Sequence, residues 1–277
     1  MINKLIIILF AVCLFPLSAN AQYEQSSVID DVLFFIVKSE VIKSVRIKDA
    51  QILVSNKVRE VMINNESKKP VGKLLINNFG YAEDFYTYND TSGMIEVHWR
   101  LGYDVNNNLT SASLRKGRLR VNYILTYENN QLSSIHSDSA GVESQYDFAY
   151  VEGKIFKVTL LNLVKDTIAA KYYFNYDNTG QMTSVLSESR DGELFRITYN
   201  NSFIRIDNLT TEAITYEIKN ERIDRYSAVY DHSSDESKDD FIKDYIYSSN
   251  GLIERVFVKS LMGVPIRTEE YEYNYIE

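Results

Sequence analysis

The chain has 277 residues, a net charge of −8, 21 tyrosines, 13 phenylalanines, one tryptophan and one cysteine. Its acidity, with Lys and Arg dispersed along the sequence, argues against nucleic acid and anionic membrane as partners of the chain as a whole. A lone cysteine excludes an internal disulfide.

Residues 1–21 read as an export signal: a short basic start at Met1–Lys4, an apolar run from Leu5 to Leu17, and Ala19-Asn20-Ala21 before the cleavage point. Thirteen apolar residues would cover only about 20 Å of a hydrocarbon core of about 30 Å, so the segment is too short for a membrane span. Cleavage after Ala21 removes Cys13, and thiol catalysis and cysteine-ligated metal go with it. The expected location is periplasm, outer surface or secreted.

Residues 22–69 form a separate N-terminal segment of strands or a short helix. Val28–Val41 contains the continuous apolar run Phe34-Phe35-Ile36-Val37, which periodicity alone does not assign. Val45-x-Ile47 and Ile52-x-Val54 favour strands after it, and Asn64–Pro70 is a polar break.

Over 70–277 a tyrosine-anchored phrase recurs. It reads Tyr103-Asp-Val-Asn-Asn-Asn-Leu109, Tyr127-Glu-Asn-Asn-Gln-Leu132, Tyr150-Val-Glu-Gly-Lys-Ile155 and Tyr176-Asp-Asn-Thr-Gly-Gln-Met182. Further copies start at Tyr199, Ile218 and Tyr247. Before each turn, large apolar residues fall at every second position, as in Trp99/Leu101/Tyr103 and Tyr172/Phe174/Tyr176, with Arg100 or Asn175 between them. Period two places the two sets on opposite faces of a sheet, and Asn, Asp and Gly supply the turns. The expected fold is all-β: an extended, curved antiparallel meander of tandem hairpin repeats, each about 23–26 residues long.

The phrase Tyr-Asp-x-x-Gly-x-Leu at hairpin spacing resembles the YD, or RHS-type, repeats of exported bacterial proteins, especially short stand-alone repeat chains of Bacteroidetes-like bacteria. In large RHS proteins such repeats form a shell around a C-terminal toxin; this sequence carries no toxin segment or self-cleaving core. The resemblance implies architecture and an envelope location rather than an activity.

Chemical signatures are sparse. His98, His136 and His232 are far apart and read as structural. The acidic stretch Asp231–Asp240 lacks EF-hand spacing and reads as a solvated hairpin tip. No catalytic residue, metal site or cofactor is expected. The aromatic stripe is the candidate binding surface, with Trp99, Tyr103, Tyr127, Tyr150 and Tyr176 as its residues, although cross-strand packing explains the same pattern. The leading reading is a non-enzymatic binding or structural scaffold at the cell envelope, contacting a protein or glycan. The alternatives are a carrier holding an apolar ligand on a concave aromatic face, and an envelope glycan hydrolase.

Overall fold

In the computed structural model each copy of the phrase folds as a hairpin turn, for reasons visible in its residues. Asp177 follows the anchor Tyr176 and accepts backbone N–H bonds from Thr179 (2.8 Å) and Gln181 (3.0 Å) through Oδ1. Gly180 then takes the left-handed conformation, φ 87°, which glycine adopts at no steric cost. Asp104 caps Asn106 and Asn108 in the same way, with Asn107 at φ 61°. Shorter turns place two positive-φ residues at the tip, as at Asn129-Asn130 and Asn220-Glu221, the backbone of a two-residue hairpin loop.

The structure describes residues 32–275 except 34, 35, 39, 90, 140, 189–191, 201, 202, 210, 211 and 231–239. The leader (residues 1–21) and all of the acidic stretch except Asp240 lie outside the described residues. Helical residues at 32, 33, 36–38, 40 and 41 precede α1 (Lys43–Ser55). The first strands are β1 (Val58–Asn64), β2 (Pro70–Ile76), β3 (Ala82–Tyr88), β4 (Ile95–Tyr103), β5 (Leu109–Lys116) and β6 (Leu119–Glu128). There follow β7 (Gln131–Ser139), β8 (Val142–Val151), β9 (Lys154–Asn162), β10 (Thr167–Tyr176), β11 (Met182–Ser187) and β12 (Gly192–Tyr199). The last are β13 (Phe203–Asn208), β14 (Glu212–Lys219), β15 (Arg222–Tyr230), β16 (Phe241–Tyr247), β17 (Ile253–Lys259) and β18 (Pro265–Tyr275).

Each strand pairs antiparallel with the next along the chain. The sheet then closes: β18 pairs with β1, in register Val61↔Tyr273 and Met62↔Glu272. The all-β expectation holds, but the open, curved meander is corrected to a closed 18-stranded barrel. The physical reason lies in β1, which lacks the tyrosine phrase yet pairs on both sides, with β2 and β18. Closure removes both free edges, which would otherwise be open to pairing with other chains. The segment read as 22–69 thus supplies the closing strand, but Val45-x-Ile47 and Ile52-x-Val54, expected in strands, lie in α1, whose buried residues Val45, Arg46 and Ala50 follow helical rather than alternate spacing.

Period two decides which row faces in. Val121, Tyr123 and Leu125 of β6 are buried, while Arg120, Asn122 and Thr126 are exposed. Tyr146, Val158, Tyr172, Phe195, Ile214 and Tyr216 belong to one buried cluster that also contains Leu33, Ile36, Val37 and Ile42 of the helical segment. The inward rows of the wall thus pack with N-terminal residues in one buried core. Charged side chains are buried as well, among them Lys38, Arg46, Lys243 and Glu269; Glu269 lies 3.4 Å from Lys243 Nζ and accepts a 2.9 Å bond from Arg267. Burial alone would raise the Glu269 carboxyl, but Lys243 and Arg267 hold it below its ordinary range.

Alternate turns of an up-and-down barrel lie at opposite ends. All phrase turns share one rim, and the turns at 65–69, 89–94, 117–118, 163–166 and 260–264 share the other.

Candidate functional site

The phrase rim gathers the sequence-predicted residues. Tyr103, Tyr150 and Tyr176 each donate their hydroxyl to a backbone carbonyl at the start of a strand in the preceding hairpin: to Ala82 (2.6 Å), Leu132 (2.9 Å) and Ile155 (3.1 Å). Tyr247 and Tyr273 repeat the contact on Ile223 (2.6 Å) and Ile253 (2.7 Å). The anchor is thus a clasp between successive repeats. Tyr127 points the same way, but its buried hydroxyl has no partner among the described residues. Trp99 sits deeper in the wall, 6% exposed, stacked on Tyr123 with centroids 6.2 Å apart. All five residues face the barrel interior.

The helical segment closes this rim. Arg222 opens β15 just after the Asn220-Glu221 turn; its guanidinium lies 3.7 Å from the centre of the Tyr247 ring and donates to Asp49 of α1 at 3.1 Å and to the carbonyl of Gly251. Lys48 pairs with Glu221, and Asn56 donates to the Asn250 carbonyl at 3.3 Å. A Cβ on Gly80 would collide with the carbonyl oxygen of Ala50, so a side chain there would push α1 off the rim. Sequence reading missed Arg222, Asp49 and Gly80. A signal for Arg222 existed: the copy starting at Ile218 is the one that lacks its tyrosine and opens the next strand with arginine.

Burial governs the electrostatics of the ring. It pushes the phenols of Tyr103, Tyr127, Tyr150, Tyr176, Tyr247 and Tyr273 well above their ordinary 10.0, and Tyr199 up to about 12. The carboxylate of Glu40 adds to this at Tyr150, Tyr176 and Tyr199. The phenols are therefore neutral at physiological pH, suited to donating hydrogen bonds. Among the described residues no three His, Cys, Asp or Glu side chains converge as a metal site would require.

On the outer face, His98 Nε2 lies 2.7 Å from Asp84, Arg100 donates to the same carboxylate oxygen at 3.3 Å, and the His98 ring stacks on Tyr86 at 4.3 Å. His136 lies 4.0 Å from Glu143. The outward row is mixed: Asp147, Lys171, Arg196, Glu217 and Glu272 belong to it, and so do exposed Ile124, Leu186, Val229 and Ile246. A bacterial membrane barrel has a polar interior, whereas the interior here is largely apolar. Among the described residues no helix is long and apolar enough to cross a membrane.

No family profile matches the chain, and no curated protein matches it. Among solved structures it is similar to a porin-like protein from Bacteroides uniformis at 13% identity, covering 79% of this chain and 97% of that one, with a TM-score of 0.38. A porin-like protein from Bacteroides vulgatus gives 11%, 79%, 99% and 0.35 in the same order. For a Photorhabdus luminescens Tc holotoxin pore the values are 12%, 71%, 11% and 0.27. Likenesses this distant carry no argument about what the chain does.

Proposed function

We propose that the chain is an exported, non-enzymatic β-barrel that serves as a binding or structural scaffold at the cell envelope. The observation that carries this reading is the division between the two faces of the wall. The inward aromatic row is buried against itself and against the helical segment, and the outward row is solvent-facing with charged and apolar residues interspersed, which leaves the exterior and the rims as working surfaces. In this reading Trp99, Tyr103, Tyr127, Tyr150 and Tyr176 bind the neighbouring hairpins and the plug rather than a free ligand. The clasp also gives the likeness to YD-type repeats a physical meaning, because the anchor tyrosine is what joins one copy to the next. The leader read at residues 1–21 supports the location.

Two measurements on protein taken from its source cells test the reading. Osmotic-shock fractionation should place the chain, lacking residues 1–21, outside the cytoplasm. Native mass spectrometry should give the mass of the chain alone. One apolar molecule per chain would make it a carrier, and retention in the cytoplasm would remove the envelope role.

A further inference from the structure

The rim opposite the plug displays side chains that neither the fold nor the scaffold reading uses. At the β3–β4 turn Met94 and Ile95 are 69% and 55% exposed; at the β17–β18 turn Met262, Val264 and Ile266 are 89%, 57% and 51% exposed. Between these two tips lies the β1–β2 turn, with Glu66, Lys68 and Lys69 exposed. Lys68 is paired to Glu270. Beyond the β3–β4 tip comes the β5–β6 turn, Arg115-Lys116-Gly-Arg118-Leu-Arg120.

Four successive turns around the closed wall therefore read apolar, lysine-bearing, apolar, basic. The pairing register adds a second sign. Arg115 is the cross-strand partner of Arg120. Like charges directly opposite one another destabilise a sheet, and an anion beside them relieves that cost. Elsewhere on the same rim the described tips bring exposed Glu143 and Glu188, and Val164 and Lys165 beside Asp166. Although the chain is acidic overall, the β5–β6 turn carries four cations within residues 115–120.

The geometry points to this sector as a peripheral docking surface for the anionic leaflet of a lipid bilayer. Met262 and Met94 enter the boundary between headgroups and acyl chains, while Lys69 and Arg118 meet lipid phosphates. A bilayer fits better than a folded partner because the apolar tips are separated by cationic ones. A fluid surface accepts separate tips at one depth, and apolar insertion combined with cationic contact is what holds peripheral proteins on anionic membranes. The inference rests on the scaffold reading only in taking the exterior as the working surface.

The test is co-sedimentation of the chain from residue 22 onward with phosphatidylcholine vesicles, with and without phosphatidylglycerol. At about 0.1 M salt, charges more than about 10 Å away are largely screened. The chain should partition onto the phosphatidylglycerol vesicles. Met262→Asp should weaken that partition about tenfold, and Arg118→Glu should erase the preference for anionic lipid. These side chains are exposed, so thermal melts of both variants should match the parent. Val105→Asp, 95% exposed at the plug rim, should bind like the parent. Absence of partition, full binding by Met262→Asp, or equal loss in Val105→Asp would overturn the proposal. So would light scattering that shows a dimer dispersed by Met262→Asp, since a second copy would then be the occupant. None of these failures touches the fractionation and mass tests of the scaffold reading.

Discussion

The hydroxyl of Tyr176 donates to the carbonyl oxygen of Ile155 at 3.1 Å, across 21 residues of chain. The bond ties the end of β10 to the start of β9, and four other anchors repeat it. It explains why tyrosine rather than phenylalanine recurs: the ring packs inside the barrel while the hydroxyl satisfies a carbonyl of the preceding hairpin.

Replacing Tyr176 with Phe should therefore cost about 1 kcal/mol, the net worth of a typical hydrogen bond plus whatever the bared carbonyl fails to recover. Tyr127→Phe should be neutral or slightly stabilising, because the Tyr127 hydroxyl is buried without a partner. Urea midpoints of the two variants give the comparison. Equal losses would show that the ring, not the hydroxyl, is what the repeat retains.

Truncation of the same anchor probes the wall. Tyr176→Ala removes a packed aromatic, roughly 3–5 kcal/mol where packing is complete. In a closed barrel the loss should spread around the ring, so amides near Tyr273 should lose hydrogen-exchange protection as much as those near Tyr150. A loss limited to β8–β12 would instead describe an open repeat array.

Much of this wall was legible beforehand. The inward row Trp99, Leu101, Tyr103 and the outward row Glu270, Glu272 follow from alternation, and Asp177 with Gly180 marks a turn by local chemistry alone. Closure was not legible, because the Val61↔Tyr273 pairing joins strands more than two hundred residues apart and β1 carries no copy of the phrase. The helical segment was ambiguous for another reason. Leu33, Ile36, Val37 and Ile42 are all buried, and so is Lys38 between them, so burial does not follow the polar and apolar pattern from which a 3.6 period is read. Among the candidate site residues the tyrosines are visible as a repeat, whereas Arg222, which stacks on Tyr247, marks itself only by departing from it.

The plug contact makes a separate prediction. Gly80→Ala should loosen α1, because the backbone there has φ 81° and the new Cβ meets the Ala50 carbonyl. Gly93→Ala suffers similar backbone strain, φ 66°, with nothing within 4 Å. Limited proteolysis between residues 43 and 57 should accelerate in the Gly80 variant and stay at the parental rate in the Gly93 variant. Equal acceleration would attribute the effect to turn strain alone.

The buried phenols set the alkaline limit. A group whose folded pKa exceeds its unfolded value stabilises fully below the unfolded value and loses that contribution as pH rises through the folded one. Stability from the tyrosine ring should thus be constant up to about pH 10 and fall between the ordinary 10.0 and the value of about 12 for Tyr199. Absorbance at the tyrosinate band should show the ring phenols ionising only as the barrel unfolds. A smooth titration of all tyrosines near their ordinary value, with the fold intact, would mean that the ring is solvated.

The barrel closes where β18 returns to β1. Met62 and Glu272 are register partners across that seam, and partners in an antiparallel pair have Cα atoms about 4.5–5.5 Å apart, within the range a disulfide requires. Expressed from residue 22, a chain with Met62→Cys and Glu272→Cys has no other thiol, since Cys13 is the only cysteine of the sequence. Mild oxidation should convert it quantitatively to a monomeric, faster-migrating species that is reversed by reductant, while Met62→Cys paired with a cysteine at Asn175 should not cross-link. A Met62/Glu272 pair that stays reduced under the same conditions, with far-ultraviolet dichroism unchanged from the parent, would contradict the closed barrel.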